Sequence, residues 1–463
     1  MIKQYYLSCL SHASYMVWDA VTKRAAIVDP QRDIDGYLAD AAELGLSIEH
    51  VLLTHFHADF VAGHLELEAR CGARIHLGAA ARADYDFEPL EDGAELSLGA
   101  LRIVVMATPG HTPEGVCLVV HDPAAEPGAP HAVLTGDTLF IGDVGRPDLL
   151  ASSGVSEEQL AGLMYDSLHG KLLGLPDATL VYPAHGAGSS CGRSLSTDTV
   201  STIGAQRLEN EALRVEGRED FIAMLTAPRP AAPAYFAYDA QLNKAQRPVL
   251  SDSMASSLVA LRVEDFLAAR AAGATVLDSR SADAYAAGHV QGSVNIGLGG
   301  RYASWCGQIL DPEASLLVIA EPGEEQQALL RLGRIGFDRV KGFLAGGPAA
   351  LAGRAELVVE APRWSAETLA QALEGGDAPL VLDVRTRREF DEDRLATSLN
   401  IPVQELADRL ADVPVGRPVA IHCLSGYRSA IAIGLLESRG LVAADLTGGI
   451  KAWRAAGLPT VRG

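Results

Sequence analysis

Residues 51–64 read "VLLTHFHADFVAGH". An apolar run, Val51 to Leu53, passes through Thr54 into His55, His57 and Asp59. Imidazoles and a carboxylate packed just past a short buried strand form a metal-ligand pattern. Phe60 comes next, and a phenyl ring offers a metal nothing. The stretch therefore poses a choice between a site that has lost a ligand and one built for another ion and another reaction. Three more apolar runs end in the same way. "LRIVVMATPGH" closes on His111, "HAVLTGD" on Asp137 and "ATLVYPAH" on His185. Strands that each release a polar group from the carboxyl end predict a sheet with one reactive edge.

Around these runs, "DIDGYLADAAELG" places Ile34, Leu38, Ala41 and Leu44 near helical spacing and stops at Gly45. The stretch "TAPRPAAPAYFAYDAQLNKAQRP", rich in proline and alanine, is expected to close this domain or to link onward. With 463 residues, 48% of them apolar, the chain can build two to four domains with real cores. A net charge of −21 argues against nucleic acid or an anionic membrane as partner. An anionic substrate would then need a metal or placed arginines. No 18 apolar residues run together, so no spanning helix is expected. The N-terminal stretch lacks the basic start and apolar run of a signal peptide. Six cysteines without paired spacing suit reduced thiols, and a cytoplasmic location is expected.

The second half repeats itself. "VLDSR" at Val276 and "VLDVR" at Val381 lie 105 positions apart, as do Ile296 and Ile401 at the ends of "GSVNI" and "TSLNI". "AGG" at 345–347 and "TGG" at 447–449 lie 102 apart. A constant offset with one three-residue deletion means two copies of one unit, and strands alternating with helices predict parallel sheets. In the last copy "HCLSGYRSA", residues 422–430, follows a strand and opens a helix. Cys423 there faces the amides of Leu424, Ser425, Gly426, Tyr427 and Arg428 and the positive end of the helix dipole. Arg428 adds full charge, and such settings favour a nucleophilic thiolate. Carrying the 102 offset into the earlier copy sets Glu321 against Cys423 and Gln326 against Arg428. A carboxylate carries no sulfur, so that copy is expected to be inert.

Two resemblances follow. Residues 362–460, with "LDVR", "NIP", C-x-x-G-x-R and "GGIKAW", resemble the rhodanese sulfurtransferases. That implies a persulfide on Cys423, its charge held by the loop amides and Arg428. Related phosphatases use a loop one residue longer, so the spacing of Cys423 and Arg428 favours sulfur. Residues 1–250 resemble the metallo-β-lactamase superfamily, with "THFHAD", "TPGHTPEG", "TGDTLF" and "YPAHG" in order. Residues 55–60 nearly spell the H-x-H-x-D-H of its two-zinc hydrolases, and Phe60 removes a ligand of the second ion. One metal is left with His55, His111 and Asp137. Two imidazoles and a carboxylate suit non-haem Fe(II), although zinc accepts the same set.

The domain further resembles the persulfide dioxygenases, a mononuclear iron branch of the superfamily. The resemblance implies one Fe(II) per chain on His55, His111 and Asp137, with O2 as co-substrate. His57, Asp59 and His185 would then orient ligands or waters from behind. Arg146 in "GDVGRPDL" would contact an anionic part of a thiol substrate. Gly186, Gly188 and Gly192 would let Cys191 fold back to line the substrate entrance. The whole layout resembles bacterial persulfide dioxygenase–rhodanese fusions: an αββα sandwich over 1–250, an inactive rhodanese-like α/β domain over 255–355 and a catalytic one over 360–463. Implied partners are a thiol persulfide (of glutathione, coenzyme A or similar), sulfite and thiosulfate, with a homo-oligomer expected from family habit. The competing reading is a zinc thioester hydrolase of the glyoxalase II type joined to a sulfurtransferase.

Overall fold

A computed structural model describes residues 1–149, 154–192, 195–229 and 232–462. The chain divides into two compact units, Met1–Asp252 with Gly333–Gly336, and Ser253–Leu332 with Phe337–Gly463. Among the described residues no helix is long and apolar enough to cross a membrane.

The first unit stacks two six-stranded sheets. One runs Ile2–Leu7, His12–Trp18, Arg24–Val28, Ser47–Leu52, Arg74–Gly78 and Glu88–Leu90 in spatial order. The other runs Ser201–Thr202, Leu180–Pro183, Ala132–Gly136, Val116–His121, Leu101–Ala107 and Glu95–Leu98. Period-two alternation decides which side chains go where. Leu101, Ile103 and Val105, with Val116, Leu118 and Val120, point to the core between the sheets and meet Tyr15, Val17, Val28 and Leu52. Cys117 and Val119 point the other way, onto Ala161, Met164 and Leu168 of the helix Glu157–Gly170. Each such side chain, fully buried, stabilises the fold by about 1.5–3 kcal/mol. On the first sheet the helix His64–Cys71 packs against Ser47–Leu52 and Arg74–Gly78. The result is the expected αββα sandwich.

The helix expected after Ile34 spans Asp35–Leu44 and ends at Gly45, whose left-handed φ of 65° and N–H bonds to Ala41 and Ala42 close it. Its buried side is Tyr37 and Ala41, whereas Leu44 is exposed. The proline- and alanine-rich stretch belongs to this unit. It carries the helix Tyr235–Leu242 and the buried Asn243.

In the second unit two five-stranded parallel sheets have matching orders. The earlier runs Ala260–Leu261, Val340–Leu344, Leu316–Ile319, Thr275–Asp278 and Val294–Asn295. The later runs Arg363–Trp364, Ala443–Leu446, Val419–His422, Leu380–Asp383 and Leu399–Asn400. The same brace recurs in both. Arg280 clasps Asp278 with contacts of 2.9 and 2.6 Å, and Arg385 clasps Asp383 with 3.0 and 2.6 Å. Asn295 bonds the carbonyls of Asp278 and Arg280, as Asn400 bonds those of Asp383 and Arg385.

Register corrects the sequence alignment of the two loops. Asp278 pairs with Ile319 and Asp383 with His422, so the residue after each strand, Ala320 or Cys423, is the true counterpart. A second contact agrees. A Cβ on Gly347 would meet the carbonyl oxygen of Ala320, and one on Gly449 that of Cys423. The three-residue deletion is therefore split, and Glu325 rather than Gln326 stands where Arg428 stands. Glu321 falls opposite Leu424. Both loops keep a glycine with positive φ, Gly323 at 95° and Gly426 at 115°.

Candidate functional site

In the first unit His55, His111, Asp137 and His185 all lie just past the carboxyl ends of strands, drawn from both sheets. Their placement is narrow. A Cβ on Gly145 would stand 2.0 Å from the Asp137 carbonyl oxygen and 3.0 Å from His111 Nδ1, so this approach admits only glycine.

Three histidines are oriented alike. His111 Nδ1 lies 2.8 Å from the Arg146 carbonyl and His185 Nδ1 3.2 Å from that of Ser11. A carbonyl only accepts, so each Nδ1 carries the proton and each Nε2 keeps its lone pair. His55 Nδ1 sits 2.9 Å from the Thr54 hydroxyl, which itself donates to Asp29 at 2.9 Å. That hydroxyl must accept from His55. All three lone pairs converge on Asp137. Its Oδ2 is 3.9 Å from His55 Nε2 and 3.5 Å from His111 Nε2, and its Oδ1 is 3.5 Å from His185 Nε2. Burial, then the neighbouring His57 and His111, hold the His55 imidazole well below its ordinary pKa. It is therefore neutral, as a metal ligand must be.

What is left unpaired indicates what fits. Both Asp137 oxygens, Asp59 Oδ1 and His185 Nε2 are buried without a hydrogen bond. Orphaned buried groups cost about 1–3 kcal/mol each, more when charged. A cation held by His55, His111 and Asp137 would satisfy the Asp137 oxygens. His55, His111 and Asp137 place one ligand atom each within 4.8 Å of one another; so do His57, Asp59 and His185, and so do Asp137, His185 and Cys191. His57 differs from the others, because its Nε2 lies 3.1 Å from Asp29 Oδ1. Phe60 is wedged with its ring 4.4 Å from that of His57 and 3.9 Å from that of His12.

Cys191 is buried beside Asp137 and His185 rather than exposed at an opening. Burial and the Asp59 and Asp137 carboxylates push its thiol well up. The Arg146 guanidinium is held by Asp148 at 2.7 and 2.6 Å and by the Ser190 carbonyl at 3.2 Å. Its backbone carbonyl is the group that orients His111.

Asp29, Thr54, His12 and Asn243 were not singled out from the sequence. Asn243 donates to the carbonyls of His57 and Phe60, each at 2.8 Å, and accepts from the Ala62 N–H at 2.8 Å. It clamps the loop that carries His57 and Asp59 from almost two hundred positions away. His12 is buried with its ring 3.9 Å from that of Phe60.

In the second unit Cys423 is buried, and the Gly426 N–H donates to its Sγ at 3.1 Å. Ser429 Oγ lies 3.6 Å from the same sulfur. Gly426 caps the helix Tyr427–Glu437. Leu424 and Ser425 are exposed and Tyr427 is half-buried. Arg428 is clasped by Glu389 at 2.6 and 2.7 Å. Burial works against the Glu389 charge, yet Arg428 and Thr386 outweigh it and hold the carboxyl at about 2. Glu389 also closes a capping box with Thr386 at the start of the helix Arg387–Glu392, so it serves two tasks.

Fold and donor set together define a class, a metal-binding sandwich joined to a repeated parallel α/β unit. The chain belongs to the metallo-beta-lactamase superfamily, whose family model matches residues 7–185, and it carries two rhodanese-like domains, matched over 262–351 and 365–456. It is 31% identical over 228 residues to the mitochondrial persulfide dioxygenase ETHE1 of Bos taurus, covering 47% of this chain and 78% of that protein. It is 32% identical over 231 residues to a hydroxyacylglutathione hydrolase of Rhodospirillum rubrum, covering 50% of this chain and 80% of that protein. A crystal structure of a metallo-beta-lactamase from Staphylococcus aureus aligns with a TM-score of 0.66 and 30% identity, covering 74% of this chain and 98% of that one.

Proposed function

We propose that the chain is an Fe(II)- and O2-dependent persulfide dioxygenase coupled to a sulfurtransferase. The proposed division is dioxygenase over 1–250, an inert rhodanese copy over 255–355 and a catalytic one over 360–463. The observation that carries the metal half is the convergence of three oriented Nε2 lone pairs on the buried Asp137 carboxylate. Similarity to persulfide dioxygenases and the missing donor at Phe60 favour one iron over two zincs. Bound iron supplies a soft-anion acceptor and the means to activate O2. His55, His111 and Asp137 are the proposed ligands. His57, Asp59 and His185 are proposed to orient ligands or waters, and Arg146 to contact an anionic part of the carrier. The net reaction takes R–S–SH, O2 and water to R–SH, sulfite and two protons.

In the second unit the Cys423 thiolate attacks the outer sulfur of a persulfide. The S–S bond breaks, R–S⁻ leaves, and Cys423 becomes a persulfide. The Gly426 amide, already 3.1 Å from Sγ, faces the charged sulfur, while Leu424, Ser425, Tyr427 and Arg428 frame it. Transfer of that outer sulfur to sulfite gives thiosulfate and restores the thiolate. The proposed role is in sulfide detoxification, in a cytoplasmic, homo-oligomeric protein.

One observation favours a second reading. Asp137 is shared between two donor groups, as a bridge between two ions would be, and hydrolases are among the similar proteins. Metal analysis after anaerobic purification, with O2 uptake on a panel of persulfides, separates the two. Stoichiometric iron and O2 uptake are expected. Two zincs per chain and thioester hydrolysis without O2 uptake would establish the hydrolase.

A further inference from the structure

We propose that the middle rhodanese copy holds the carrier half of a zwitterionic peptide thiol, whose persulfide then reaches Cys423; this rests on the sulfurtransferase reading above and deepens it. A cavity of about 650 Å³ lies over the loop that begins at Ala320. Its walls include Ser279 and Ser281, the Gly297–Arg301 strip, Trp305, Glu321 and Glu324. Ser279 and Ser281 stand 105 positions before Val384 and Thr386, beside the Cys423 loop. The cavity is thus the middle copy's own substrate bowl, kept although Ala320 has replaced the thiol. Tyr427 and Arg428 of the Cys423 loop complete its lining. The Tyr427 hydroxyl donates to the Gly297 carbonyl at 2.8 Å, which ties the bowl to the active loop.

The cavity is far larger than an inorganic sulfur anion needs. The cavity would hold roughly twenty waters at about 30 Å³ each, and it lies within the usual range for small-molecule sites. Trp305 and Tyr427, with ring centroids 6.4 Å apart, offer flat apolar walls for an extended chain. Charge decides between carriers. The Arg301 guanidinium and the Glu321 and Glu324 carboxylates have no side-chain partner among the described residues, and all three line this space. A peptide thiol presents a carboxylate to the arginine and an ammonium to the carboxylates. A polyphosphate thiol would set several negative charges against Glu321 and Glu324.

The test compares donors under anaerobic conditions, so that the metal centre consumes no persulfide. Sulfur transfer from glutathione persulfide, coenzyme A persulfide and thiosulfate is measured with the full chain and with Arg301→Ala and Trp305→Ala. The parent should prefer glutathione persulfide to coenzyme A persulfide. In each variant kcat/KM for glutathione persulfide should fall at least about tenfold through KM. The ratio of that value to the one for thiosulfate should fall with it. A parent that prefers coenzyme A persulfide, or an equal fall for both donors, overturns the assignment. Calorimetric titration of reduced glutathione into the Cys423→Ser chain reads the bowl without turnover. Binding weakened about tenfold by Arg301→Ala supports the site even if no donor transfers sulfur, and binding indifferent to Arg301 and Trp305 refutes it.

Discussion

The metal-side cluster and the Cys423 loop handle buried polarity in opposite ways. Around Asp137, imidazoles are fixed by outward Nδ1 bonds, while His185 Nε2 and the Asp137 oxygens point inward without a hydrogen bond among the described residues. Around Cys423 the sulfur has its amide and the arginine has its carboxylate. The first arrangement leaves Asp137, Asp59 Oδ1 and His185 Nε2 without hydrogen bonds, as a cation site would. The second is complete by itself and waits for a substrate.

Removing Asp137 should produce the largest effect, because both donor groups that contain Cys191 or His55 depend on it. Asp137→Ala and His111→Ala are expected to abolish iron retention and O2 uptake, read by elemental analysis and an oxygen electrode. His185→Ala should retain much of the iron and slow turnover by about 10–100-fold. The geometry makes this a real contest, since His185 Nε2 is as near Asp137 as His111 Nε2 is, at 3.5 Å. Equal iron loss in all three variants would move His185 into the ligand set.

The self-contained loop predicts a clean separation. Serine neither ionises near neutral pH nor carries sulfane sulfur. Cys423→Ser should therefore abolish sulfur transfer and consume O2 with persulfide much as the parent does. It should release sulfite where the parent releases thiosulfate, followed by separating derivatised sulfur anions. Loss of O2 uptake in this variant would show obligatory delivery of sulfur from Cys423.

The strand-end donors and the "LD-x-R" repeat were legible because each is local, a polar residue closing an apolar run. Asp29, Asn243 and Glu389 were not, because each acts on residues remote in sequence and only the packed chain pairs them. The loop alignment failed for a related reason. A one-residue slip leaves the motifs at either side intact, and only the pairing of Asp278 with Ile319 and of Asp383 with His422 fixes the register.

Smaller in size is a stability effect behind the loop. Asp445 is buried with Oδ1 unpaired, and burial pushes its carboxyl up to about 6 despite the Ser429 hydroxyl. The unfolded chain gives up this proton near pH 4 and the folded one near 6. Stability is therefore lost as pH rises through that window, and the penalty is complete above it. Asp445→Asn should match the parent near pH 4 and exceed it above pH 6 by at most about 3 kcal/mol. Urea unfolding followed by tryptophan fluorescence across this range checks it; a difference independent of pH would assign the gain to packing.

The smallest expected change is none. Ala320 occupies the place of Cys423, so Ala320→Cys restores the missing sulfur at the right register, directly after its strand. Gly323 keeps the positive φ that Gly426 uses, although its N–H now donates to the Glu325 carboxylate at 2.7 Å. Charge is what remains wrong. Glu325 stands where Arg428 stands, and Glu321 and Glu324 stand at Leu424 and Tyr427. Three carboxylates around a thiol oppose its ionisation, and each unit of upward pKa shift leaves about tenfold less thiolate. Ala320→Cys in a Cys423→Ser background should transfer sulfur from thiosulfate at baseline. Adding Glu325→Arg then discriminates. Activity that appears only with the arginine shows that electrostatics alone silenced the middle copy. Activity from Ala320→Cys by itself shows that backbone geometry outweighs the surrounding charge.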